Sequence, residues 1–381
     1  MHLAERGVAA IVVDAEGIGF GASGRNGGQV NPGLKSDPDE VERRFGAERG
    51  RAMNAFAGGA PDFVFSLIER LGIRCAARRN GTLRAAVGPA HVAAVERTAA
   101  QWATRGAPVE FLDRDAVATA TGCERYRGAM FDRRGGDLNP LSYARGLARA
   151  AIDAGARIHG GTRIESLERV SGGWRASAAH GEIVAERVVI ATNGYSDALW
   201  PRLRRSVIPV FSQIVATAPL PAPLATRILP GRSVLYESGL VTVYYRIDAG
   251  GRLLIGGRGP LREVTDPGEL RHLTGYALRL WPALRDTEWT HAWGGRIAIT
   301  VDHYPHIHEP AEGILIALGY NGRGVAVASA LGAELARRTI DPRADLAIPV
   351  SALRPIPLHA LWPVAVKAAV LRGRIADRFE R

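Results

Sequence analysis

The chain has 381 residues, 46% of them hydrophobic and 23% charged, which is room for two domains or one elaborate one. Its net charge of +11 invites a polyanionic partner, but the excess lies in 47 arginines (49 basic residues less Lys35 and Lys367) scattered in short groups such as "ERR" and "RLRR". Without a helix-turn-helix, zinc finger or aromatic stacking motif, that pattern argues for GC-rich coding and against nucleic-acid binding. No run of about 18 apolar residues is present, so no integral membrane segment is expected. The start lacks the basic, apolar, small-residue order of a signal peptide, and a cytoplasmic location follows by default. Cys75 and Cys123 lie far apart and suggest neither a disulfide framework nor a zinc site.

In chain order, "MHLAERG" reads as the last turns of a helix closed by Gly7. "VAAIVVDA" is a buried strand ending in Asp14. Residues 17–33 are rich in glycine without apolar periodicity and read as a loop. "SDPDEVERRFGAERGRAMNAF" opens with Ser36, Asp37 and Pro38, a helix-start signal, and "APDFVFSLIERLGI" continues it. "NGTLRAAV" is a strand, "PAHVAAVERTAAQWATRG" a helix, and "DRDAVATATG" a second helix capped by Asp113. "NPLSYARGLARAAIDAGARI" is a helix running into a strand. Short strands follow in "TRIESLERV", "GWRASAA" and "AERVVIATNGY". From 206 to 260 the chain is β-rich, in "SVIPVFSQIVAT", "GLVTVYYRID" and "GRLLIGGR". A capped helix, "DPGELRHLTGYALRLWPAL", precedes the strand, glycine turn and helix of "GILIALGYNGRGVAVASALGAELARRTI". The fold class predicted is α/β with an α+β insert: a discontinuous Rossmann-like nucleotide-binding domain and an antiparallel β-sheet substrate domain. The expected boundaries are 1–75, 140–205 and 295–345 for the first domain and 76–139 and 206–294 for the second. A helical tail covers 346–381.

The segment Gly19 to Gly24, "GFGASG", matches the dinucleotide pattern G-x-G-x-x-G. That fingerprint needs a strand before it and a helix after it, whose free N–H groups receive the pyrophosphate. The strand is present, but "RNGGQVNPG" holds three glycines and a proline and cannot begin a helix at Arg25. The match is therefore rejected as the first strand-to-helix turn. Shifted by one unit, "MHLAERG" is the tail of the first helix, "AAIVVDA" the second strand, and Asp14 the ribose-binding acid. The fingerprint belongs about 20 residues before Asp14, ahead of Met1. A start codon placed downstream of the true one and real loss of that strand are the two explanations.

A strand ending in an acid followed by "GFGASGRNGGQ" resembles the D-amino acid oxidase-type FAD-dependent oxidoreductases, closest to the γ-glutamylputrescine oxidoreductase branch. "RVVIATNGYSDAL" is similar to the family's returning strand beside the adenine of FAD. "YYRIDAGGRLLIGGRG" and "WGGRIAITVDHYPHI" resemble its substrate-domain strands and the return to the FAD domain. "GYNGRGVAVASALGAELA" resembles its last strand-to-helix turn. The resemblance spans nearly the whole chain.

By that resemblance Asp14 accepts hydrogen bonds from the ribose hydroxyls, with a capping or solvated aspartate as the bland reading. Ser23 and Arg25 sit where a hydroxyl and a guanidinium can face phosphate, plain turn chemistry being the competing reading. Asn26, Gly27, Gly28 and Gln29 would let backbone approach the flavin ring. Ala191 and Thr192, with Asn193, pass beside the adenine and pyrophosphate or simply form a turn. Gly319, Asn321, Gly322, Arg323 and Gly324 join a buried strand to a helix whose first N–H groups can stabilise negative charge on reduced flavin. A solvated helix residue is the other reading of Arg323. In "VYYR", Tyr244 and Arg246 share one face and Tyr245 the other. Tyr244 can wall an amine pocket and Arg246 can bind a carboxylate, against a sheet with a solvated arginine. Tyr320 is placed above the flavin. His303, His306 and His308 tempt a metal reading, but Tyr304-Pro305 interrupts any helix and no further ligand motif joins them, so no metal is expected.

The function implied is oxidation of the C–N bond of an amine or amino acid (γ-glutamylputrescine-like, N-alkyl or D-amino acid) by hydride transfer to flavin N5. The partners are then that small molecule and an electron acceptor, oxygen or another. The protein supplies orientation and electrostatics to a cofactor that carries the chemistry, so no catalytic triad is needed. The expected catalytic-site residues are Tyr244, Arg246 and Tyr320. Related oxidases use a lysine near the flavin to activate oxygen, and this chain has none between Lys35 and Lys367. Arg246, Arg258 or Arg296 are the substitutes. The cysteines lie outside the flavin-turn motifs, which points to non-covalent FAD. The alternative is a truncated, non-catalytic relative with impaired FAD binding.

Overall fold

In the computed structural model, residues 1–239 and 242–379 are described. Most strands and helices fall where the patterns place them. Asp113 caps the helix Arg114–Thr121 by accepting from the Ala116 N–H at 2.9 Å, and Asn139 caps Pro140–Asp153 through the Ser142 N–H at 3.0 Å. Prolines open the helices Pro38–Phe45, Pro89–Thr104 and Pro140–Asp153, where the missing N–H costs nothing. The expected first helix tail is one 3₁₀ turn, Ala4–Arg6, closed by Gly7.

The largest element is an eight-stranded sheet. Its order is Trp289–Ile299, Ile208–Pro219, Arg252–Arg258, Tyr244–Ile247, Val234–Glu237, Thr82–Ala86, Gly128–Asp132 and Val109–Leu112. Every neighbouring pair is antiparallel except Val234–Glu237 on Thr82–Ala86. Register makes the two faces different. Val215, Ile255, Tyr245, Leu235 and Leu83 lie side by side across five strands and are fully buried. The helix Arg271–Leu280 covers this row through Leu273 and Tyr276. Each of these apolar side chains contributes about 1.5–3 kcal/mol by leaving water. The next row, Ile214, Gly256, Tyr244, Tyr236 and Arg84, faces the other way. As predicted, Tyr244 and Tyr245 are on opposite faces.

The second β system is parallel and in two pieces. Ile11–Val13 pairs with Arg157–His159, and Val188–Ile190 pairs with Ile314–Leu318, which also carries His306–Ala311. A separate meander, Ile164–Val170, Gly173–Ala178 and Gly181–Ala185, lies in the chain between them. The long helices Ala47–Arg70 and Gly324–Ile340 pack together. Val41, Met53, Leu315, Val327 and Leu331 share one of the buried clusters there.

Two expectations change. The segment 17–33 contains a helical turn, Ala22–Arg25, which ends at Asn26 because Gly27 and Gly28 follow, and a two-residue strand, Gln29–Val30, pairs with Gly136–Asp137. The apolar and basic pattern of the tail predicts a helix that packs on the first domain with its arginines in solvent, or lies on a membrane surface; in the helix Trp362–Phe379, Val364 and Leu371 are exposed. Among the described residues no helix is long and apolar enough to cross a membrane.

Candidate active site

The loop that follows Ile11–Val13 is stitched to the open face of the large sheet. The Asn26 side chain shapes it, accepting from the Gly28 N–H at 2.8 Å and donating to the Ala22 carbonyl at 2.9 Å. The Gln29 amide then donates to the carbonyls of Leu235 (3.0 Å) and Tyr245 (3.2 Å). Glycine is required at two points. A Cβ on Gly27 would lie 2.6 Å from the Tyr244 ring. Gly28 has φ +71°, and a Cβ there would lie 2.2 Å from the Leu138 carbonyl oxygen.

Arg246 is committed beneath this loop. Its Nε donates to the Gly27 carbonyl at 2.6 Å and its Nη1 to Asp137 at 2.7 Å. Arg78 approaches the same carboxylate with Nε at 3.0 Å and Nη2 at 2.7 Å. The Asp137 and Arg246 side chains are only 1% and 6% exposed. Burial pulls the Arg246 guanidinium below its ordinary pKa, with Asp137 opposing. The carboxylate it binds is therefore Asp137's, a partner that the alternating pattern of "VYYR" does not announce.

Tyr244 stands on the same face. Its hydroxyl is 2.7 Å from Ser212 Oγ, and burial raises its pKa. Tyr236, one strand over, accepts from Arg323 Nη2 at 2.9 Å, and that guanidinium lies 4.7 Å from the Tyr236 ring centre. Arg323 is thus held against the sheet rather than solvated. The turn it belongs to is fixed from below. Asn321 has φ +52° and its Oδ1 accepts from the Thr300 N–H at 3.0 Å, while the Gly319 N–H donates to Asn193 Oδ1 at 2.9 Å. Gly322 completes the turn, and the helix Gly324–Ile340 starts two residues later with no side-chain cap on its first N–H groups among the described residues. Burial pushes Tyr320 far above the ordinary tyrosine range.

The other expected residues are spread outward. Asp14 ends its strand and accepts from the Glu16 N–H at 2.9 Å. Ser23 lies in the helical turn, its carbonyl accepting from Asn26 Nδ2 at 3.0 Å. Arg25 pairs with Glu263 at 2.8 Å and stacks on Phe20 at 4.4 Å. Ala191 and Thr192 follow the strand Val188–Ile190, with Thr192 Oγ1 2.7 Å from Ser196. His306 bonds Asp302 at 3.0 Å, His308 the Ser351 carbonyl at 2.8 Å and His303 the Asn321 side chain, so the three histidines serve different neighbours.

Lys35 is the residue the sequence reading passed over. It stands three residues beyond Pro32, whose carbonyl accepts from Arg323 at 3.5 Å. Packing around its ammonium, with Arg323, Arg258 and Arg84 as neighbouring charges, brings its pKa down to about 8, although the residue as a whole is exposed. Tyr244, Arg258 and Tyr320 are half-buried. Nothing local in "NPGLKSDP" signals this, because the neighbours that make Lys35 unusual come from three other segments.

The whole chain up to residue 338 matches the family model described as DAO, FAD dependent oxidoreductase. The chain belongs to the DAO family of FAD-dependent oxidoreductases. It is 30% identical to γ-glutamylputrescine oxidoreductase of Escherichia coli K12 over 88% of this chain and 80% of that protein. It is 33% identical to the probable oxidoreductase OrdL of Rhizobium meliloti over 88% and 79%. The fold matches glycine oxidase of Geobacillus kaustophilus with TM-score 0.77 at 24% identity, covering 91% of this chain and 92% of that one. L-proline dehydrogenase of P. horikoshii matches with TM-score 0.74 at 20% identity, covering 90% of each. The family cofactor is FAD. The turn Gly319–Gly324, at a helix start with no side-chain cap and beside the tyrosine-bearing sheet, fits its flavin half, whereas the space at Gly27 and Gly28 is taken by Tyr244, Leu138 and Arg246.

Proposed function

We propose that this DAO-family chain oxidises the C–N bond of an amine or amino acid, with γ-glutamylputrescine-like, N-alkyl and D-amino acid compounds as the candidate substrates. One observation carries the reading: the loop at Gly27 and the turn at Arg323 both pack against the same face of the sheet, at Tyr244 and its cross-strand neighbour Tyr236. Bound FAD supplies the hydride acceptor. The chain's own groups hold the geometry. Tyr244 and Tyr320 form uncharged walls, since burial keeps both protonated at neutral pH. Arg246 acts through the Gly27 carbonyl and fixes the loop rather than gripping substrate. The free N–H groups at the start of Gly324–Ile340 favour negative charge in front of them. Asp14 and the segment Ala191–Thr192 serve the adenosine side in this reading, with Ser23 and Arg25 on the phosphates. FAD is held non-covalently, as Cys75 and Cys123 are both buried, with burial raising their pKa values.

The test is anaerobic mixing of the FAD-loaded protein with γ-glutamylputrescine, sarcosine, proline and D-amino acids. Loss of the oxidised-flavin absorbance with at least one is the expected result. Reoxidation by oxygen or by a dye then identifies the acceptor class. Flavin that stays oxidised with every amine would overturn the proposal.

A further inference from the structure

The tail of the chain has no part in the reaction, yet it presents the most concentrated apolar surface among the described residues. Four of the twelve large apolar side chains exposed there, Leu358, Leu361, Val364 and Leu371, fall within this one segment and keep between 57% and 78% of their surface. In the helix Trp362–Phe379 the side chains sort by face. Trp362, Val366 and Val370 are half-buried and Gly373 is buried, at the spacing of one helix side. Leu361, Val364, Ala365, Ala368 and Leu371 are exposed and recur at the same spacing on the opposite side. An outward apolar stripe costs free energy until something covers it. The base of the helix is pinned: His359 Nε2 lies 2.9 Å from the Val207 carbonyl oxygen, and the Ile356 N–H donates to the Arg205 carbonyl at 2.7 Å. The most extensive packing of the helix among the described elements is with the turn His359–Leu361 just before it.

Charge discriminates among the possible occupants. From Leu346 to Ala376 the sequence holds Arg354, Lys367, Arg372 and Arg374 and no aspartate or glutamate. Lys367 and Arg372 are exposed beside the stripe. The segment to which the tail is pinned exposes Arg202, Arg204 and Arg205, the "RLRR" group. Among the described residues none of these five exposed cations has an ion-pair partner. A second copy of the helix would add further cations and no carboxylate to the stripe. A nucleic acid would neutralise the cations and leave the leucines in water. An anionic lipid surface satisfies both, with phosphates for the cations and acyl chains for the stripe. The helix has 18 residues, about 27 Å of length, and no described helix is long and apolar enough to cross a membrane. It therefore suits the plane of the interface.

We infer that the helix Trp362–Phe379 is an interfacial anchor that docks the protein on membranes bearing anionic lipid. Leu361, Val364 and Leu371 enter the acyl boundary, Leu358 lies at the base, and Lys367 and Arg372 meet the headgroups. One short stripe gives reversible binding, and the cations make it salt-dependent.

The experiment floats the full chain with vesicles of phosphatidylcholine or of an equal mixture with phosphatidylglycerol. The mixed vesicles are expected to bind at least about tenfold tighter, and high salt to remove most of that gain. Leu361→Gln, Val364→Gln and Leu371→Gln together should weaken binding about tenfold or more, as should Lys367→Gln with Arg372→Gln. Val184→Gln, at an exposed apolar residue of the meander, should leave it unchanged. Thermal melting establishes that each variant is folded, and Val364→Gln alone, with about threefold weaker binding expected, repeats the test with one exposed change. A parent chain that floats with neither vesicle would overturn the anchor. So would leucine and valine variants that bind like the parent, because the net charge of +11 would then account for the binding. A lipid-free dimer that the triple variant dissociates would also overturn it, since the stripe would then be an interface between copies.

Discussion

The eight-stranded sheet and the parallel strands are made of similar apolar residues, but their surroundings differ. In the sheet, Val215, Ile255, Tyr245, Leu235 and Leu83 form an unbroken buried row. In the parallel system the middle residues Val12 and Val189 keep 40% and 37% of their exposure. Each is on a strand that pairs on one side only, among the described residues. Hairpins and short returns supply three of the sheet's seven pairings, and its interior strands pair on both sides, whereas parallel pairs need long crossovers and partners from distant segments. The large sheet therefore carries a continuous core on one face and a polar face on the other.

That contrast can be broken at its strongest point first. Asp137→Asn leaves the buried Arg246 and the half-buried Arg78 without their counter-charge and should cost about 3–5 kcal/mol, read from urea unfolding. Leu235→Ala, in the buried row, should cost about 2–5 kcal/mol by the same measurement. Gly27→Ala forces the loop and the Tyr244 ring apart and should weaken FAD binding by roughly tenfold or more, about 1.4 kcal/mol, measured by flavin fluorescence. Val12→Ala, on the exposed parallel strand, should change stability by less than about 0.5 kcal/mol. A large effect there would mean that Val12 is covered in solution.

The elements were legible because each has a local cause. Caps at Asp113 and Asn139, prolines at first turns and the alternation in "VYYR" depend on residues a few positions apart. The family was legible for a related reason: its glycine turns are short motifs in a fixed order, and backbone close approach leaves only glycine at Gly27 and Gly28. Local logic also correctly denied the "GFGASG" segment a full helix, although it missed the single turn Ala22–Arg25 that fits before the paired glycines. It read Arg246 as a carboxylate binder, and the charge type was right, but the partner is Asp137, 109 residues away in the chain.

Charge environment is what sequence order conceals. Lys35 reads as an ordinary solvated lysine in "NPGLKSDP", and Arg258 as the end of a strand. Folding half-buries Arg258 on the Tyr244 face of the sheet and holds Arg323 against Tyr236, while Lys35 stays exposed. The amino-acid sequence by itself determined the elements, the two faces of the sheet and the family, because these follow from short-range periodicity and steric need. Only the tertiary structure decided which charges are paired and which face an open cleft, because Coulomb energies depend on distance and burial, and neither is a property of position along the chain.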